Sequence, residues 1–201
     1  MKKILYSVLT LILGLVLSSS GCTHDTIDPA LFDEGVEING VVWATRNVGE
    51  FGKFAAAPES SGMFYQWNRA KAWSATEATV SGWDATAPSG TTWEATKDPC
   101  PAGWQVPTQA QFNALIAFDL GWDATKKGRK FGSGANIIFL YAAGYRSAFD
   151  GALFDTNLEG SYWTNEEAGA TNAYCRCFTS SSNTSYNSSK AFGYSIRCVK
   201  K

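Results

Sequence analysis

The sequence predicts an α+β domain built mainly of short antiparallel strands with one or two helices. Three observations carry this expectation. Between Ser161 and Lys201, apolar and polar residues alternate in Tyr162-Trp163-Thr164, in residues 173–178 and in residues 192–200, as they do in half-buried strands. Asn39-Gly40 stands between two further alternating runs, and both positions of a tight hairpin turn need positive φ. A single helix start is legible, at Thr108.

Taken in order, residues 36–38 and 41–45 form the arms of that hairpin, and residues 62–67 read as a strand. Trp73, Trp83 and Trp93 follow in Trp-Ser-Ala-Thr, Trp-Asp-Ala-Thr and Trp-Glu-Ala-Thr, and Trp122 repeats the theme. These copies are too few and too short for a solenoid, so they are expected to be an insertion whose tryptophans fold back on the core. At residues 107–112, Thr108 is placed as N-cap with Gln111 in capping-box register. Phe112, Leu115 and Ile116 then give the helix an apolar face, and Gly121 is the expected stop. Residues 137–141 make a continuous apolar strand and Asp150-Gly151 a turn. Residues 180–189, almost wholly Ser, Asn and Thr, are expected to be a surface loop closing onto nothing.

Residues 1–21 read as a secretion signal. Lys2 and Lys3 give a positive start, residues 4–17 an apolar run, and Ser18-Ser19-Ser20-Gly21 a small-residue stretch before Cys22. Small residues before a Cys resemble a bacterial lipobox, although Ser19 stands where Leu is usual. That resemblance implies diacylglycerol on Cys22, a membrane partner through that lipid, and an outer-membrane location at the cell surface or periplasmic face. The apolar run falls short of the roughly 20 residues that span a bilayer. Residues 22–34 are expected to be a tether, and residues 35–201 the domain. Within the tether, Asp25-Thr26-Ile27 resembles an O-glycosylation site of exported Bacteroidota-type proteins.

The formal charge is −1 for the whole chain, and loss of Lys2 and Lys3 with the leader takes it to −3. No basic field exists to attract nucleic acid; the cluster Lys126, Lys127, Arg129 and Lys130 is expected to be a solvated loop. The only histidine, His24, lies in the tether, so His-dependent nucleophilic or metal chemistry is not available to the domain. With Cys22 given to lipid, Cys100, Cys175, Cys177 and Cys198 remain, and their spacing allows three pairings.

At Cys100-Pro101-Ala102-Gly103-Trp104-Gln105-Val106-Pro107, the chain resembles the Fibrobacter succinogenes major paralogous domain family. The resemblance continues through Ala143-Gly144-Tyr145-Arg146, Tyr162-Trp163-Thr164 and residues 193–200, covering about residues 36–201. It implies an exported, often lipid-anchored surface domain with no agreed enzymatic activity. The same order of motifs resembles C-type-lectin-like domains and the formylglycine-generating, sulfatase-modifying fold. In those folds a cysteine staples the terminus back to the core, which implies a Cys100–Cys198 disulfide.

Cys175-Arg176-Cys177 puts two thiols on one strand face. Sulfatase-modifying enzymes carry a cysteine pair in a similar region, which implies a redox or copper-dependent modifying enzyme as an alternative function; here one residue separates the pair instead of the wider spacing of those enzymes. The favoured reading is that both pack as small hydrophobes or cross-link locally. Glu166 and Glu167 are weighed as calcium ligands and read as a solvated turn; Asp150, Asp155 and Glu159 are carboxylates with no spacing that places two across a cleft. Trp163, with Tyr162 and Asn165, is singled out as a candidate ligand-binding platform among abundant aromatics. No catalytic residue, cofactor or metal site is assigned. The expected function is a non-enzymatic surface binding module that contacts glycan or a surface protein, with a structural subunit of a surface assembly as the third reading.

Overall fold

The computed structural model describes residues 28–201. Cys22, His24 and the leader therefore lie outside the described residues. The architecture is mainly β: four small antiparallel sheets surround a mixed aromatic core, and one α-helix, α1 (Gln109–Leu115), packs against them.

The first sheet runs β1 (Val36–Ile38), β2 (Val41–Trp43), β15 (Val199–Lys200) and β5 (Trp104–Gln105). Its opening hairpin forms as the Asn-Gly pair requires, with Asn39 and Gly40 at φ 53° and 76°. The second sheet orders β10 (Leu153–Phe154), β9 (Tyr145–Arg146), β14 (Gly193–Tyr194), β3 (Met63–Gln66) and β4 (Ala72–Ser74). The third is β6 (Asp119–Asp123), β7 (Gly128–Ser133) and β8 (Asn136–Tyr141); the fourth is β11 (Gly160–Glu167), β12 (Asn172–Phe178) and β13 (Asn183–Ser189).

The first and last strands of the described residues share the first sheet. β15 pairs with both β2 and β5, and the Cys100–Cys198 disulfide, with Cα atoms 6.0 Å apart, ties the loop before β5 to the residue before β15. Asp98 shapes that loop by accepting from the Cys100 and Val106 backbone N–H groups. Burial nevertheless raises its pKa above the ordinary carboxylate value, outweighing those two hydrogen bonds.

α1 begins with the predicted capping box: Thr108 Oγ1 accepts from Gln111 N, and Gln111 Oε1 accepts from Thr108 N. Phe112 and Leu115 are buried, and the Phe112 ring centre lies 4.9 Å from that of Trp43. Burying a side chain of this size contributes about 1.5–3 kcal/mol.

Several expectations are corrected. The helix does not run to Gly121. Its last turn tightens into a 3-10 turn at Ile116–Phe118, which swings Ile116 outward, and Gly121 sits at φ 93° where the β6–β7 register shifts. The polar run at 180–189 is largely strand β13, paired with β12 through seven consecutive residues, because backbone N–H and C=O groups make the ladder whatever the side chains are. Residues 192–200 do not form one strand; β14 and β15 belong to different sheets and the segment between them turns Arg197 into the core. The basic cluster is divided: Lys126 and Lys127 stand on the exposed turn of the β6–β7 hairpin, as expected, while Arg129 and Lys130 belong to β7 and Arg129 is buried against Asp119 at 2.6 Å. Residues 28–34, assigned to the tether, pack on the domain: Asp33 is buried, pairs with Arg46 at 3.2 Å and accepts from Thr45.

The Trp-rich insertion behaves as expected. Trp73 and Trp93 are buried, and the half-buried Trp83 packs on Trp73 at 4.8 Å while its N–H donates to the Ala148 carbonyl. Lys190, fully buried, pins the insertion's return by donating to the Gly90 carbonyl and pairing with Glu167, with its ammonium 4.5 Å from the Trp67 ring centre.

Candidate functional site

In the fourth sheet β11 and β12 are largely buried while β13 has no buried residue, and the register of the three determines where chemistry can sit. Ser161 stands directly opposite Cys177, and Trp163 opposite Cys175; on the other flank Cys175 faces Tyr186 and Cys177 faces Thr184. Cross-strand partners point to the same side. One face therefore presents Ser161, Trp163, Cys175, Cys177, Thr184 and Tyr186 together.

Against this face the second sheet lays Tyr145 and Tyr194, with Phe192 beside them. A cleft of about 320 Å³ remains between them, walled by Tyr145, Tyr186, Phe192 and Tyr194, with Cys177 and Glu159 among its other lining residues. Phe192 and Tyr194 are near-parallel at 5.5 Å, and Tyr145 meets Phe192 edge-on at 5.8 Å. Tyr186 is 59% exposed, which makes its ring the most accessible of the four. Thr179, Ser182 and Ser188 add hydroxyls to the lining.

A chain of polar contacts runs beneath the rings. Ser161 Oγ donates to Glu159 Oε1 at 2.6 Å and lies 3.3 Å from Cys177 Sγ. The two sulfurs are 3.8 Å apart, Cys175 Sγ is 3.5 Å from Ser188 Oγ, and Tyr194 O–H donates to Ser188 Oγ at 3.0 Å. Both thiols are free, Cys175 fully buried and Cys177 half-buried. The contact between them splits their acidities: a hydrogen bond from Cys175 holds Cys177 below the ordinary thiol value, while the same contact, with burial, pushes Cys175 far above it. Burial likewise pushes the Tyr194 phenol well above its usual value.

Trp163 and Tyr162 are core residues and present no ring to a ligand. Both are fully buried; the Trp163 N–H donates to the Tyr65 carbonyl at 2.8 Å, and Tyr162 O–H donates to the Tyr141 carbonyl at 2.8 Å. Trp163 instead backs the cleft, its ring 4.4 Å from that of Tyr194. Asn165 lies away from this lining: its backbone N–H donates to Pro107 and its carbonyl accepts from Trp93.

The carboxylates weighed as ligands are also accounted for. Glu166 accepts from the Gln109 N–H at the start of α1, and Glu167 pairs with Lys190. Asp150 accepts from the Ala152 N–H in its turn, so of the three paper carboxylates only Glu159 lines the cleft. Among the described residues, no three His, Cys, Asp or Glu side chains gather so as to hold a metal ion, and no helix is long and apolar enough to cross a membrane.

Sequence reasoning did not assign a site role to Tyr145, Tyr186, Phe192 or Tyr194. Tyr186 carried a usable signal, a lone large ring in an otherwise small and polar run. Comparison of the chain with protein-family models, with curated proteins and with solved structures finds no match in any of the three.

Proposed function

We propose that the chain is an exported, lipid-anchored surface domain that binds a small saccharide in the cleft bounded by Tyr145, Tyr186, Phe192 and Tyr194. The motifs at Cys100, Ala143, Tyr162 and Gly193 support kinship with the Fibrobacter succinogenes major paralogous domain family. The C-terminal strand, paired with β2 and β5 and stapled by Cys100–Cys198, supports a C-type-lectin-like arrangement. Lipid on Cys22 would hold the domain at the outer membrane.

One observation carries the saccharide reading. The cleft combines exposed aromatic wall with hydroxyls and a single carboxylate at hydrogen-bonding depth. A pyranose ring has the matching chemistry, apolar C–H faces bordered by hydroxyls, and a pocket that is mostly apolar with a few placed polar groups is the usual form of a small-ligand site. The acidic net charge and the lack of a basic field argue against a polyanionic ligand.

A glycan array probed with the full-length mature protein and with Tyr186→Ala tests this. Tyr186 is exposed, so its loss leaves folding intact and should weaken binding by about 1 kcal/mol, roughly fivefold in Kd. Chelation of calcium should change nothing, because Glu166 and Glu167 are already engaged. Absence of binding to any sugar class by folded wild-type protein would overturn the reading. Cys22→Ser, which should move the protein from membrane to soluble fractions, tests the anchor separately.

A further inference from the structure

The polar contacts under the cleft have a direction. A serine hydroxyl has one proton to give. Ser161 spends its proton on Glu159, so in its contact with Cys177 the thiol must be the donor. The Glu159 carboxylate behind Ser161 disfavours a negative charge on Cys177, so a thiolate there depends on the donor on its other side. On the opposite flank Ser188 already accepts from Tyr194, which leaves its own proton for Cys175 Sγ. Cys175 then has its S–H free to point at Cys177, 3.8 Å away. The two thiols are thus made unequal by their placement: Cys175, buried and protonated, turns its S–H to Cys177 and supports a thiolate on the sulfur that lines the cleft.

We propose that Cys175 and Cys177 form a thiol–disulfide exchange site for a low-molecular-weight disulfide of cystine size seated in the cleft. Cys177 is the attacking residue and Cys175 the resolving one, whose S–H supports the Cys177 thiolate until it is needed for the second step. The Cys177 thiolate attacks one sulfur of R–S–S–R, forming a Cys177–S–S–R bond, and RS⁻ leaves to take up a proton as RSH. Cys175 then loses its proton and attacks Cys177 Sγ, forming the Cys175–Cys177 bond and expelling the second RSH. The external disulfide has gained two electrons and two protons, and the dithiol has lost them. A second small-molecule thiol couple, two R′SH going to R′–S–S–R′, returns the pair to the dithiol.

Strand geometry makes the oxidised pair labile rather than a permanent staple. Residues two apart on a strand have Cα atoms separated by about 6.6 Å, near the top of the range a disulfide tolerates. Bridges near that limit are the readily reduced ones. Cys100–Cys198 joins two separate elements and lies outside this constraint. The inference does not rest on the saccharide reading, since it needs only the two thiols and their neighbours.

The test uses full-length protein with Cys100–Cys198 intact, mixed with excess cystine and followed by intact mass and released thiol. Wild type should release two thiols per chain and become lighter by two hydrogens. Cys175→Ala should stop as a stable mixed disulfide on Cys177 and release one thiol, while Cys177→Ala should stay unmodified. Alkylation of Cys177 by iodoacetamide should reach half its plateau rate below the pH typical of a free cysteine, about 8.5. Glu159→Gln should move that midpoint further down while leaving the high-pH plateau unchanged, because it removes a negative charge beside the thiolate; Cys175→Ser, which keeps a donor, should preserve the low midpoint better than Cys175→Ala. Failure of folded Cys175→Ala to form the mixed disulfide, or equal reactivity of the two cysteines, would overturn the assignment. Loss of glycan binding without loss of exchange, or the reverse, would separate this proposal from the saccharide one.

Discussion

Replacing Cys100 and Cys198 with alanine should remove a large part of the stability of this domain, and the size of the loss can be worked from the fold. The bridge closes a loop across 98 positions. In the chain-entropy treatment that closure lowers the entropy of the unfolded chain by an amount worth about 4.7 kcal/mol at 25 °C. Domains of ordinary stability have about 5–15 kcal/mol in total. A domain of this size loses about 2–4 °C of Tm per kcal/mol, so the double variant should melt about 10–20 °C lower. Urea unfolding followed by tryptophan fluorescence is the assay, because Trp43, Trp67 and Trp163 are fully buried and report the core directly. Two changes should appear together: a lower midpoint, and a steeper dependence on urea, since the unlinked unfolded chain exposes more surface. Wild type reduced in advance should superimpose on the variant. A loss below about 1.5 kcal/mol, or an unchanged slope, would show that β15 pairing with β2 and β5 holds the terminus without help, and would refute the entropic argument.

Four further outcomes follow from particular side chains. Arg197 is fully buried and gives hydrogen bonds to Asn47 Oδ1 and to the carbonyls of Ala44 and Phe139, so Arg197→Met should cost about 3–5 kcal/mol in urea unfolding. Arg176 is as buried but has one partner, Asn113 Oδ1, with its Nε and Nη1 unmatched, so Arg176→Met should be neutral or stabilising in the same assay. Trp163→Ala should cost about 3–5 kcal/mol, removing the ring behind Tyr194 and stranding the Tyr65 carbonyl; a loss confined to ligand binding would contradict its placement in the core. Asp84 is held at about 2, first by the Thr86 hydroxyl, then by the Thr86 N–H and Arg69. Because this folded-state value lies below the unfolded one, its contribution is complete above about pH 4 and fades as pH falls toward 2. Asp84→Asn should therefore flatten that part of the acid limb in a melting-temperature profile.

Local chemistry made some features legible and left others hidden. The Asn39-Gly40 hairpin and the Thr108–Gln111 capping box are complete within a few residues of chain, so the sequence contains everything that determines them. The Cys100–Cys198 bridge came from a resemblance among motifs, since spacing left three pairings open. β13 was hidden for a physical reason: its seven residues pair through the backbone, and a ladder of Ser, Asn and Thr lacks the apolar alternation that marks a strand. The tail at 192–200 shows the opposite failure. Its alternation is real, but periodicity does not say which sheet a strand joins, and the change of sheet happens between Tyr194 and Val199. Trp163 failed by one layer: its sequence neighbours are polar, yet the face it shares with Cys175 is roofed by Tyr194 from another sheet.

The strand that was hardest to see is also the one that lets a site exist. Aliphatic residues in place of Thr184, Tyr186 and Ser188 would invite β13 to pack down on Phe192 and Tyr194 and close the face that carries Cys175 and Cys177. Small hydroxyls instead leave room, and the single large residue, Tyr186, stays 59% exposed at the margin. Ser188 does more than keep space: by accepting from Tyr194 it turns its proton toward Cys175 Sγ and leaves the Cys175 S–H for Cys177. The low apolar content that made the run look like a loop is thus the condition for both an open cleft and an unequal cysteine pair. Ser188→Ala, which removes only the hydroxyl oxygen, separates these roles: it should keep the fold and the cleft, and widen the difference in alkylation rate between Cys175 and Cys177, because Cys175 Sγ loses a donor. An unchanged rate difference would mean that the Ser188 hydroxyl has no hold on the acidity of Cys175.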